Sequence, residues 1–185
     1  SSHALSVSGE ITLREVEFEG AKKAYECDGT PADCVKLGID MLKQEGVIID
    51  VVYAGINHGG NLGTDTMYSG TVSAAAEGMM AGLPAVAVSV NSHEASYFEG
   101  ACRLAVQTLP LAMSFGRKGV ISINTPDIPA EEIKGVKACK LGAVEYDQWF
   151  EEISRGGDSK TYRYRGTPSE LDHWTEDMDV RLIRQ

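Results

Sequence analysis

Residues 47–54 (VIIDVVYA) and 85–90 (AVAVSV) are nearly continuous apolar runs, separated by a glycine- and asparagine-rich loop and then by a stretch of small helix formers. Neither run alternates polar with apolar residues, so each needs cover on both faces, as a strand inside a parallel sheet has. Joining neighbouring parallel strands takes a crossover, and residues 72–81 supply one as a helix. Ala74, Ala75, Ala76 and Gly78 let that helix lie close to a sheet, and Gly82 and Pro84 end it. Asp50 is the one conspicuous charge in the first run.

Strands and helices continue to take turns on either side. Residues 11–18 alternate with the period of a half-buried strand near a sheet edge. Thr30-Pro31-Ala32-Asp33 sets a hydroxyl at an N-cap, proline at the first helical position and a carboxylate three residues on, opening a helix through Val35, Leu37, Ile39 and Leu42. Thr30 and Asp33 are therefore read as caps rather than ligand contacts. An amphipathic helix is expected over 98–113, a third core strand over 120–124 and a further strand over 137–141. The order predicts an α/β fold with a mostly parallel sheet and helices on both faces.

A core over 1–136 and an arm over 137–185 are expected. Beyond residue 141 lie six of the thirteen aromatic residues, both tryptophans (Trp149 and Trp174) among them, and Tyr162 and Tyr164 alternate with Arg163 and Arg165 after Gly156-Gly157 as in a hairpin. So many rings need a surface to cover them, either a partner subunit or the arm's own domain.

The net charge of -10 and pI near 4.8 argue against a general binder of nucleic acid. Cys27, Cys34, Cys102 and Cys139 fall in no metal-binding spacing and are too sparse for a disulfide scaffold. With no apolar stretch of membrane-spanning length and no leader-like start, the expected setting is cytoplasmic and away from membranes.

Ligands of open α/β sheets bind beyond the carboxyl ends of the strands. That edge receives Asn57, His58, Asn61, Asp65 and Ser69-Gly70-Thr71. A helix N-terminus carrying two hydroxyls and a glycine can hold a phosphate through amides and its dipole, although Ser or Thr before a helix is ordinarily only a cap. No GxxxxGK[ST] or GxGxxG motif is present. Between Lys43 and Arg103 there is no lysine or arginine, so amides, hydroxyls or a divalent ion must balance a bound phosphate. Asn57 offers an oxygen for such an ion and Asp65 a second, though a turn role for Asp65 is as simple. His3, His58, His93 and His173 have no ligand-like spacing.

Several segments together resemble the SurE (survival protein E) family of metal-dependent nucleotidases. They are Gly29-Thr30-Pro31-Ala32-Asp33-Cys34-Val35, Gly55-Ile56-Asn57-His58-Gly59-Gly60-Asn61-Leu62-Gly63, Tyr68-Ser69-Gly70-Thr71-Val72, Glu77-Gly78 and Gly82-Leu83-Pro84-Ala85-Val86-Ala87-Val88-Ser89. Ser2-His3-Ala4-Leu5 and Ile123-Asn124 with Pro126 belong to the same likeness, which runs to about residue 137. The resemblance implies a Rossmann-like three-layer α/β sandwich with a C-terminal hairpin arm, exchanged between subunits in a homodimer or homotetramer. It implies hydrolysis of nucleoside 5'- and 3'-monophosphates with one divalent cation, Mg²⁺ or Mn²⁺. Asn57 is then a metal ligand, Ser69, Gly70 and Thr71 hold the phosphate, and Ser69 and Asn61 are the catalytic residues. The family's Asp-Asp pair and a further serine ligand would precede Ser1, and a further strand would follow Gln185, so the chain is expected to be incomplete at both ends. Ala54 and Gly60 replace a more usual serine and proline.

For the complete protein these points combine into a phosphomonoesterase in which the ion serves as Lewis acid and the 69–71 segment holds developing charge. Two other classes remain open: a non-catalytic nucleotide- or phosphate-binding subunit, and an oligomerisation module built on the aromatic arm.

Overall fold

The computed structural model describes residues 5, 6, 8–147, 149–165, 167–169 and 175–183. Ser2, His3 and Ala4 of the family-like opening, His173 and Trp174 lie outside the described residues. The chain divides into two units, one of Ser1–Asn61 with Thr66–Gly135, the other of Leu62–Asp65 with Val136–Gln185.

In the first unit, β1 (Leu13–Val16) and β2 (Ala24–Cys27) form an antiparallel hairpin, and α1 (Pro31–Gln44) follows. Then come β3 (Val52–His58), α2 (Gly70–Met80), β4 (Ala85–Val90), α3 (Glu99–Phe115) and β5 (Val120–Thr125). A 3₁₀ helix, Gly63–Tyr68, leads into α2. Strands β3, β4 and β5 make a parallel sheet in that order.

The two faces of β4 differ in size, and that difference sorts the helices. Val86, Val88 and Val90 point to one side and pack with Ala101, Ala112, Leu104 and Ile123, the layer of α3. Ala85 and Ala87 point to the other and pack with Ala74 and Ala75 of α2 and Val35 of α1. Helices therefore cover both faces, and all six residues of β4 are buried. Among the described residues no helix is long and apolar enough to cross a membrane.

Local signals located α1 correctly. Thr30 is its N-cap: the Thr30 hydroxyl oxygen accepts the Asp33 N–H (3.2 Å), and the Asp33 carboxylate accepts the Thr30 N–H (2.9 Å). Asp33 also accepts the backbone N–H (3.0 Å) and the hydroxyl (2.7 Å) of Ser6. The Ser6 donors above all, then those of Thr30, hold this carboxyl well below the usual carboxylate range.

Three expectations need correction. The strand expected over 47–54 begins only at Val52 and runs on through Asn57 and His58, with Ile48 86% exposed. Its partner β4 starts at Ala85, so the ladder has nothing to pair with residues 47–51 despite their β-branched side chains. Residues 11–18 shorten to β1, paired with β2 in a separate two-stranded sheet rather than at the edge of the parallel one. The strand expected over 137–141 reduces to one bridge, Lys140 to Met178.

The second unit is held by Asp179 at the start of α4 (Asp179–Leu182). Its carboxylate accepts the N–H of Gly63 (2.8 Å) and of Gly142 (2.7 Å), and Val180 is buried against both glycines. Between Gly142 and Asp179 come β6 (Glu145–Asp147), β7 (Phe150–Gly156), β8 (Ser159–Tyr164) and β9 (Thr167–Ser169), paired antiparallel as β6 with β9 and β7 with β8. The β7–β8 hairpin is exposed along its whole length, with Phe150 and Tyr164 stacked edge to face.

Two glycine substitutions of the same kind should have opposite signs. A Cβ at Gly78 would come within 2.7 Å of the Val52 Cβ, so Gly78→Ala is expected to cost about 1–3 kcal/mol through overpacking. At Gly38 of α1 a Cβ meets nothing within 4 Å, and Gly38→Ala is expected to add roughly 0.5–1 kcal/mol through helix propensity. Urea unfolding midpoints measure both, and equal shifts would contradict the close approach of α2 to β3. Because the folded pKa of Asp33 is depressed, its stabilisation is complete above the unfolded value of ~4 and is lost as pH falls through the folded one. Asp33→Asn is expected to be less stable at pH 7 and to show a flatter stability curve below pH ~4. A curve parallel to the parent's there would assign the acid sensitivity elsewhere.

Candidate functional site

The carboxyl ends of β3, β4 and β5 bring three polar side chains level: Asn57 lies opposite Ser89, and Ser89 opposite Asn124. Ser89 continues the Ala85, Ala87 face of β4, so this row looks toward the layer of α2. Asn57 belongs to it because of a bulge. Ala54 pairs with Ala87 and Asn57 with Ser89, three residues on one strand against two on the other. Strict alternation from Ala54 would aim Asn57 at α3; the extra residue turns it over and sends Ile56 into the α3 cluster instead. Gly55 makes the bulge sterically feasible, since its φ is 130° and a Cβ there would stand 2.3 Å from the Val88 carbonyl oxygen.

The chain then crosses from β3 to α2, and a crossover between parallel strands begins at their carboxyl ends. The first turn of α2 therefore lies at the same edge and on the same face as Asn57. Ser69 is its N-cap and Gly70 and Thr71 are its first helical residues. The Val72 N–H bonds the Ser69 hydroxyl oxygen (3.1 Å), and the Ser73 N–H bonds the Ser69 carbonyl (3.0 Å). The Gly70 and Thr71 amides keep no backbone partner among the described residues, and the Ser69 and Thr71 hydroxyl protons add two further donors. Among the described residues no His, Asp or Glu side chain hydrogen-bonds the Ser69 hydroxyl. The cap uses a lone pair of Ser69 and leaves its hydroxyl proton to donate elsewhere.

Asn61 is held in the loop beyond β3. Its N–H donates to Asn124 Oδ1 (2.8 Å), its carbonyl accepts Asn124 Nδ2 (3.2 Å), and its own Nδ2 donates to Ser89 Oγ (2.6 Å). Ser89 and Asn124 were not among the residues expected at the site. What could have found them is that both are polar residues near the carboxyl ends of strands, Ser89 in an otherwise apolar one.

The remaining candidates separate. His58 follows Asn57 and faces the other layer, its ring 5.1 Å from that of Phe98, edge to face. Asp65 lies in the 3₁₀ helix with Thr64, whose hydroxyl donates to the Val144 carbonyl (3.0 Å). For a metal ion the donors are few. Asn57 Nδ2 donates to the Gly59 carbonyl (2.8 Å), which leaves Oδ1 as the atom suited to a hard cation. A divalent ion of that kind takes about six oxygens, carboxylates usually among them. Among the described residues no three His, Cys, Asp or Glu side chains gather in a metal-binding group, so these residues do not make the ion's site by themselves.

The chain matches a family model described as Survival protein SurE over residues 1–148. It is 41% identical over 155 residues to the 5'-nucleotidase SurE of Synechococcus elongatus, covering 82% of this chain and 59% of that relative's length. To the 5'-nucleotidase SurE of Clostridium beijerinckii it is 35% identical over 191 residues, covering 100% of this chain and 74% of the relative. The crystal structure of the SurE protein from Aquifex aeolicus superposes with a TM-score of 0.76 at 31% identity, covering 98% of this chain and 72% of that one. Fold, edge chemistry and sequence thus agree: the chain belongs to the SurE family.

Proposed function

We propose that this chain carries the phosphate-holding part of a phosphomonoesterase that hydrolyses nucleoside 5'- and 3'-monophosphates to nucleoside and phosphate. The observation behind the reading is the row Asn57, Ser89, Asn124 lying on the face where α2 begins, with two amides that have no backbone partner among the described residues and two hydroxyl protons at that helix start. With no lysine or arginine between Lys43 and Arg103, the donors are neutral. Ser69, the amides of Gly70 and Thr71, and the Thr71 hydroxyl orient the phosphoryl oxygens and hold the charge that grows on them during transfer. Asn57 and Asn61 are assigned to the rim of the same seat on this reading.

Mg²⁺ or Mn²⁺, as the family resemblance implies, would supply Lewis acidity when bound. Since the described side chains do not complete its site, the work assigned to this chain is binding and orientation. The second reading, for a protein without further carboxylate ligands, is a nucleotide- or phosphate-binding subunit without turnover. The exposed β7–β8 hairpin, with Trp149, Phe150, Tyr162 and Tyr164 all more than half exposed, supports assembly into a homodimer or homotetramer through that arm. The free thiols of all four cysteines agree with a cytoplasmic setting.

The test is turnover of AMP and of a chromogenic phosphate ester with added Mn²⁺, alongside calorimetric titration with AMP. For the complete protein, turnover that excess chelator abolishes is expected, with Asn57→Ala and Ser69→Ala each lowering it about 100-fold. Ser69→Ala should also cost about 1 kcal/mol of stability as a lost cap, visible in thermal melts. AMP binding without turnover would favour the binding subunit, and full activity in chelator would remove the ion from the mechanism.

A further inference from the structure

We propose that Ser89 and Asn124 are positioning residues that set the side chain of Asn61 toward the bound phosphate ester. This rests on the reading of Asn61 as a site residue given above. The loop after β3 must pass over the end of β4 to reach β5, because β4 lies between them. Asn124 draws it there. The Asn124 carboxamide pairs with both polar groups of the Asn61 main chain, as a neighbouring strand would, at 2.8 and 3.2 Å.

That pairing alone would anchor the loop, so the contact with Ser89 has a different consequence. Asn61 is 7% exposed and Ser89 0%, and the 2.6 Å bond between Asn61 Nδ2 and Ser89 Oγ is shielded from water, where it is stronger than at the surface. It fixes the rotation of the amide, with Nδ2 turned down onto β4 and Oδ1 turned away. No buried side-chain oxygen or nitrogen among the described residues lacks a partner, and no described group engages Asn61 Oδ1, so that atom reaches the surface at the strand ends. A residue needed only for packing would have no use for a polar anchor at 0% exposure inside an otherwise apolar strand. Two strand-end side chains thus hold one amide in a single orientation at the carboxyl edge of the sheet.

The experiment measures kcat and KM for AMP with Mn²⁺, and calorimetric affinity for AMP and for inorganic phosphate, on the full chain. The variants are Asn61→Ala, Ser89→Ala, Asn124→Leu and each of the last two combined with Asn61→Ala; thermal melts correct for the folded fraction. Ser89→Ala removes one hydroxyl and little volume, so it tests the idea even where Asn124→Leu folds poorly. Each single variant is expected to lower kcat or AMP affinity roughly tenfold or more. Each double variant should be no worse than Asn61→Ala alone, because the partners act through that side chain. Additive losses, or wild-type kinetics in folded Ser89→Ala, would overturn the positioning role while leaving the proposed function standing. A parent chain that neither binds nor turns over AMP or phosphate would overturn both.

Discussion

A strand buried on both faces has to be small on one side or the other wherever a helix comes close. In β4 the requirement is met residue by residue: Ala85, Ala87 and Ser89 alternate with Val86, Val88 and Val90. The slender face accepts α2 at the distance that Ala74, Ala75 and Gly78 allow, and the bulky face fills the space beneath α3. The third member of the slender set is a hydroxyl rather than a methyl. At the strand end the packing constraint and the site meet in one residue, since Ser89 continues the alanine face and also anchors Asn61.

Electrostatics follow from the same arrangement. The side of the sheet that takes α2 presents no cationic side chain from the 44–102 segment, and Lys36 on α1 is engaged with Glu77 at 3.6 Å. On the proposed reading an anion at this edge would be met by dipoles: two helix amides without backbone partners among the described residues, hydroxyls and carboxamides. Such donors are fixed by the fold before a ligand arrives and need little reorganisation when it does. That is a different means of holding a phosphate from a lysine-bearing glycine loop, and it makes the orientation of each amide count.

Features depending on near neighbours were legible from residues alone. The capping box at Thr30 and Asp33, the proline start of α1 and the bounds of β4 are each decided within a turn or a strand. The beginning of β3 was misjudged because the reach of a strand is decided by its partner, here β4, whose pairing starts at Ala85. The β1–β2 pairing and the bridge at Lys140 depend likewise on distant segments. Among the candidate residues, Asn57, Asn61 and the 69–71 segment could be assigned to the ligand edge from the end of a buried strand and from helix-start chemistry, while their roles came from the family resemblance. Ser89 and Asn124 escaped because one strand-end polar residue is unremarkable until two strands set it beside another.

The amino-acid order by itself determined an α/β alternation, a capped helix start at Ser69 and a stretch without lysine or arginine, since each follows from periodicity, local capping or composition. Only the tertiary structure decided which way Asn57 faces. Alternation along β3 would put that side chain among the valines of the α3 layer, and the extra residue beside Gly55 reverses it, because strand side chains switch faces with every residue added to the ladder.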